Sequence, residues 1–144
     1  MALMEIDQIL DHVRTLDGIL VLAPAQGSEF PEIAWGDYFV YYAPDGEIPT
    51  NTQPFATIVT KDYPDDTTSR LVDGRWRVNI HVGRNAVPAA SEDPAEADVV
   101  LRHPVYGDLG WVAVISPGDR TAATVLQLLD DAHADARRRW DRRA

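Results

Sequence analysis

Arg75, Arg77, Asn79 and His81 alternate with Trp76, Val78, Ile80 and Val82. Strict alternation defines a half-buried strand, so the four polar residues share one face, with about 7 Å between successive side chains. Two guanidinium forks, an amide and an imidazole in one row could grip a small anionic molecule. The same row could be a solvated sheet face with cross-strand ion pairs, most simply if Asp37 lies opposite. On either reading Arg77→Ala should leave stability nearly intact and weaken only an anionic ligand. Trp76→Ala and Ile80→Ala, on the apolar face, should cost roughly 2–5 kcal/mol.

Three further places carry reactive types. His103, Tyr106 and Asp108 lie in HPVYGDLG, just before Trp111. A histidine and an acid beside a tyrosine suit general acid–base work. Pro104 and Gly107 equally mark a turn, with His103 capping a loop carbonyl. Lys61 closes a strand in KDY and could form a Schiff base or bind an anion if desolvated. Asp62, Asp65 and Asp66 argue the other way, since nearby acids hold an ammonium protonated. Trp35 and Asp37, on an aromatic strand, and Trp111, which opens the last strand, complete the set of ligand-binding candidates. His12 and His133 fall on helices and read as surface residues. No metal is expected, because there is no cysteine and no His-x-x-x-His spacing. No cofactor is expected either: GDLG precedes a strand rather than a helix, and no serine sits in a nucleophile elbow.

The elements that must position these residues follow from periodicity. Ile6, Ile9, Leu10, Val13 and Leu16 predict a helix over 4–17, stopped at Gly18. Strands are expected at 19–22, 34–42, 55–60, 75–82, 99–101 and 111–115, the third-last being the cleanest. Residues 83–98, rich in Ala, Pro and acids, read as a long flexible loop. Val125, Leu128, Leu129, Ala132 and Ala136 mark a C-terminal helix, capped by Asp119 or Thr121. The expected fold is one α+β domain over 1–144: a mostly antiparallel sheet of four or five strands with both helices on one face.

The other face then needs a cover. Trp35, Asp37, Phe39 and Tyr41 share one register of the aromatic strand, and Ala34, Tyr38, Val40 and Tyr42 the other, so neither side is polar. Strands apolar on both sides are covered on both sides. The cover is expected to be the 83–98 loop, a ligand or a second subunit, with a homodimer first in line.

Composition narrows the partners. Of 144 residues, 23 are acidic and 13 basic, a net charge of −10. Residues 137–144 carry five arginines against one acid, net +4, which leaves the rest at −14. Cations suit a helix C-terminus, so the basic tail reads as helix-end chemistry. An acidic body argues against a nucleic-acid partner. No apolar run is long enough for a membrane span, and the acidic start MALMEIDQIL is unlike a signal peptide. A soluble cytoplasmic protein is expected.

WGDYFVYYAPDG (35–46), PFATIVTKDYPDDTTSRL (54–71), RVNIHVG (77–83) and HPVYGDLGWVAVISPG (103–118) resemble an actinobacterial protein family of unknown function. The resemblance covers about 1–140 and implies one compact domain without implying an activity. In its order of helix, sheet meander, histidine/aromatic–tryptophan strand and final helix, the chain is more distantly similar to the MmcQ/YjbR proteins with their CyaY-like α+β fold. That likeness implies DNA binding through the sheet, which the acidic charge opposes. The functional expectation is a binding or interaction module using the sheet face. The alternative is a small enzyme acting through His81, His103, Tyr106 and Lys61, which requires those groups to converge on one pocket.

Overall fold

The computed structural model describes residues 3–143; Met1, Ala2 and Ala144 of the expected single domain lie outside the described residues. Helix α1 spans Ile6–Arg14. Its start is fixed by a reciprocal capping box, in which the Gln8 side chain accepts the Glu5 N–H at 2.6 Å. Its end is fixed by Thr15, whose hydroxyl donates to His12 O. The helix is therefore shorter than the apolar spacing predicts. Gly18 follows at φ +67, where a Cβ would stand 2.6 Å from the Tyr42 ring. Only glycine allows both that backbone and that approach.

Six strands form one open sheet: β1 Ile19–Leu22, β2 Tyr38–Tyr42, β3 Ala56–Val59, β4 Arg77–His81, β5 Leu101–Arg102 and β6 Trp111–Ile115. The order is β1-β2-β3-β4-β6-β5, and all neighbours are antiparallel. The sheet holds six strands against the expected four or five, with the two-residue β5, near the short strand expected at 99–101, forming one edge. After β4 the chain passes beyond β6, lays down β5, and returns through residues 103–110.

Helix α2, Ala122–Arg143, packs with α1 on one face, as expected. Val40, Ile58, Val78, Ile80, Val112 and Val114 meet Ile9, Leu10, Val13, Val125 and Leu129 in the main core. Trp76 and Ile80 are buried there. No described helix is long and apolar enough to cross a membrane.

Two local expectations are corrected. The aromatic strand begins at Tyr38, not Ala34, because Glu32–Ala34 form a 3-10 turn and the Asp37 N–H donates to Ala34 O. Trp35 and Asp37 thus precede the strand. The cap of α2 comes from Asp98, twenty residues and more upstream. Its carboxylate accepts the N–H groups of Gly118 (2.8 Å), Thr121 (3.0 Å) and Arg120 (3.1 Å) and the Thr121 hydroxyl (2.5 Å). Burial pushes the Asp98 carboxyl up, but these four hydrogen bonds outweigh it and hold it below the usual range. Residues 83–98 contain one 3-10 turn, Arg84–Ala86, and are otherwise irregular. Their far end is tied to the sheet, with Ala97 bridged to Ile115.

Candidate functional site

Polar side chains gather on the sheet face away from the helices. Across its middle, strand pairing aligns Phe39, Thr57, Asn79, Ala113 and Leu101 in one row. The next row holds Val59, Arg77 and Ile115. Thr57 and Ala113 are small, so the floor beside Asn79 is low. Two segments rise over it: the strap after β3, residues 60–73, and the β5–β6 connection, residues 103–110. They leave a cavity of about 540 Å³ whose lining includes Phe39, Tyr41, Thr57, Tyr63, Asp65, Asp66, Arg77, Asn79, His103, Tyr106 and Trp111. Loops, rather than the 83–98 segment alone, supply the expected cover.

The strap is held from several sides. Asp62 Oδ1 accepts the Leu71 N–H at 3.1 Å, and Leu71 is buried with Val59, Leu101 and Ile115. Arg75 donates to the carbonyls of Arg70 and Ser69 (both 3.1 Å) and of Ala95 (2.5 Å). Arg75 is therefore a stitch between strap and 83–98 loop, and it does not line the cavity.

Arg77 is 3 % exposed, against the solvated row that alternation predicts. Its Nε donates to Asn79 Oδ1 (2.8 Å), and Nη1 donates to Asp66 Oδ1 (3.0 Å) and Ser69 Oγ (2.8 Å). Nη2 donates to Asp66 Oδ2 (2.5 Å) and lies 3.2 Å from His103 Nε2. Four of its five N–H groups are thus consumed by the protein itself, two of them in a fork on one carboxylate. The alternation identified the right face; it missed that Asp66 and Ser69 would come down on it.

His103 is also buried, and its Nδ1 accepts the N–H groups of Val105 (3.1 Å) and Tyr106 (2.9 Å). It caps amides of the turn instead of a carbonyl. Burial first, then the Arg77 charge, lowers its pKa to about 4 against an opposing pull from Asp66. It is neutral at pH 7. The Tyr106 ring lies 5.0 Å from the His103 ring.

Asp37 is fully buried, away from the Arg77 row. Its Oδ1 accepts from the Thr60 N–H (2.9 Å), Thr60 Oγ1 (2.7 Å) and Lys61 Nζ (2.9 Å), and its Oδ2 from Tyr63 Oη (2.5 Å). Lys61 also donates to Trp35 O. The lysine is paired with Asp37, not with the three acids that follow it. Burial first, then the hydrogen bond to Asp37, raises the Tyr63 phenol above its ordinary value. Trp35 donates to Phe30 O and lines a separate hollow with Ala23–Gln26.

The structure therefore brings Arg77, Asn79, His103, Tyr106 and Trp111 into one cavity. It leaves Trp35, Asp37 and Lys61 in a second cluster, linked to the first through Tyr63. His81 does not line the cavity; it packs on Trp111 at 5.5 Å and pairs with Leu109 O at 3.1 Å. The proposed catalytic set does not converge. Tyr63, Asp66, Ser69 and Thr57 are the site residues that spacing passed over. Thr57 could have been found from the β3 alternation, but nothing local marks the others. Among the described residues no cluster of three or more His, Asp or Glu could hold a metal ion.

Fold and site together define an α+β sandwich whose sheet face away from the helices carries a cavity lined by polar and aromatic side chains. Residues 4–144 match the model of a family of unknown function, DUF6194, and the protein belongs to that family. No curated protein and no solved structure matches the chain.

Proposed function

We propose that this protein is a binding module that takes a small molecule into the cavity on its open sheet face. The observation that carries the reading is the pairing of a hydrogen-bonding floor, Thr57, Asn79, Arg77 and His103, with the aromatic side chains of Phe39, Tyr41, Tyr106 and Trp111. Pockets of several hundred Å³ that are mostly apolar, with a few placed polar groups, are the usual form of small-molecule sites. The enzyme reading is weaker. His103 would be its central base, yet one ring nitrogen already caps two amides and the group resists protonation. The sheet-borne DNA binding of the MmcQ/YjbR group has little charge to work with, since Arg77 is paired with Asp66 and Asp65 lines the same cavity. A homodimer through this face would rest on the exposed Val105, Tyr106 and Leu109 at the rim and would compete with a ligand for the same surface.

A thermal-shift screen of small uncharged aromatic compounds tests the proposal, because binding to the folded state raises the Tm. Compounds that raise it should lose their effect in Thr57→Phe, which fills the floor. Hits that survive that substitution, or a panel without hits, would contradict the reading.

A further inference from the structure

We infer that the cavity takes an uncharged, flat molecule by a carbonyl oxygen that sits beside His103 Nε2 and Arg77 Nη2 and accepts from both. The inference rests on the binding reading above and adds the chemistry of what is bound. A neutral imidazole has one N–H and one free lone pair. The His103 lone pair is spent at Nδ1 on the Val105 and Tyr106 amides. Its proton is therefore on Nε2. The last unspent N–H of Arg77 is on Nη2, which lies 3.2 Å from that same Nε2. Two donors thus meet side by side in the cavity lining. The nearest carboxylate oxygen, Asp66 Oδ2, is 3.9 Å from Nε2, too far for a hydrogen bond.

An oxygen with two lone pairs, entering from the cavity, satisfies both donors at once. Thr57 offers a third. Arg77 Nε donates to Asn79 Oδ1, which fixes the amide so that Nδ2 donates to Thr57 Oγ1 at 3.0 Å. The Thr57 hydroxyl is left with its own proton to give, at the cavity floor. The chain of donors runs one way, from the guanidinium outward.

Charge decides between a carbonyl and a carboxylate. Asp66 already neutralises Arg77, His103 is uncharged, and Asp65 lines the same cavity. A carboxylate would bring an unbalanced negative charge beside two acids, whereas an amide or ring carbonyl brings none. The aromatic walls of Phe39, Tyr41 and Trp111 match a flat body.

Nitrogen-15 NMR of the His103 imidazole in the full chain, with titrations of benzamide, benzoate and toluene, tests this. The proton should sit on Nε2 in the free protein. Benzamide should move the Nε2 resonance and bind at least tenfold more tightly than benzoate. Thr57→Val should weaken benzamide severalfold and leave toluene unchanged. A proton on Nδ1, or benzoate binding as tightly as benzamide, would overturn the inference. Equal binding of toluene and benzamide without a His103 response would also overturn it, while leaving the binding cavity standing. If no probe moves any cavity resonance, both readings fall.

Discussion

The Arg77 side chain is 3 % exposed and that of Asp66 9 %, and two hydrogen bonds join them. Breaking a buried pair from one side leaves an uncompensated charge, typically at about 3–5 kcal/mol. Arg77→Ala should therefore lose stability on that scale, well beyond the near-neutral effect a surface strand would give. Adding Asp66→Leu should recover much of it, since no charge is then stranded. Urea unfolding of the single and double variants measures both, and a loss below about 1 kcal/mol in Arg77→Ala would mean the pair is solvated. His103 makes a second prediction. Its folded pKa, about 4, lies below the ordinary histidine value of 6.5. As pH falls below 6.5 the unfolded chain takes the proton first, so the folded state loses ground steadily until about pH 4. The Tm of the wild type should drop between pH 7 and 4.5 more than that of His103→Asn. Parallel curves would place His103 in solvent.

At the scale of elements, the most consequential link is Asp98, which ties the end of the 83–98 segment to the start of α2. Asp98→Ala should cost about 0.5–2 kcal/mol, the ordinary value of a helix cap. Because the folded carboxyl titrates below its usual range, its contribution is present at neutral pH and lost as pH falls through the acid range. Circular dichroism melts of Asp98→Ala and Asp98→Asn check this, and an unchanged Tm would mean that Thr121 caps the helix unaided. This link also shows what the sequence could not reveal. Elements written in local periodicity were legible: β1 and β6 fall on the expected residues, and both helices lie where their apolar stripes put them. Elements set by distant partners were not. Thr121 has the composition of a cap, and only folding brings Asp98 beside it. Asp66 likewise lies eleven residues from Arg77, in a strap without periodicity. His103, Arg77, Asn79 and Tyr106, which alternation and turn chemistry single out, do line one cavity together with Trp111. Their mutual geometry was not legible, because buried polar pairing overrides the solvent-facing reading of an alternating strand.

For the whole molecule, both helices lie on one sheet face and the cavity lies on the other. The acidic body, net −14 over residues 1–136, surrounds a cavity whose buried arginine is internally neutralised. Such a surface favours an uncharged ligand held by shape and directed hydrogen bonds over a polyanion held by charge. Binding in this cavity is tested most directly by amide chemical-shift mapping of the full chain during a benzamide titration. Saturable shifts are expected in β2, the 53–57 and 63–66 segments, 77–79 and 103–111, and nowhere else. Shifts centred on the separate hollow around Ala23–Gln26 and Trp35, or on the helices, would contradict binding in the cavity, as would no saturable shift at all.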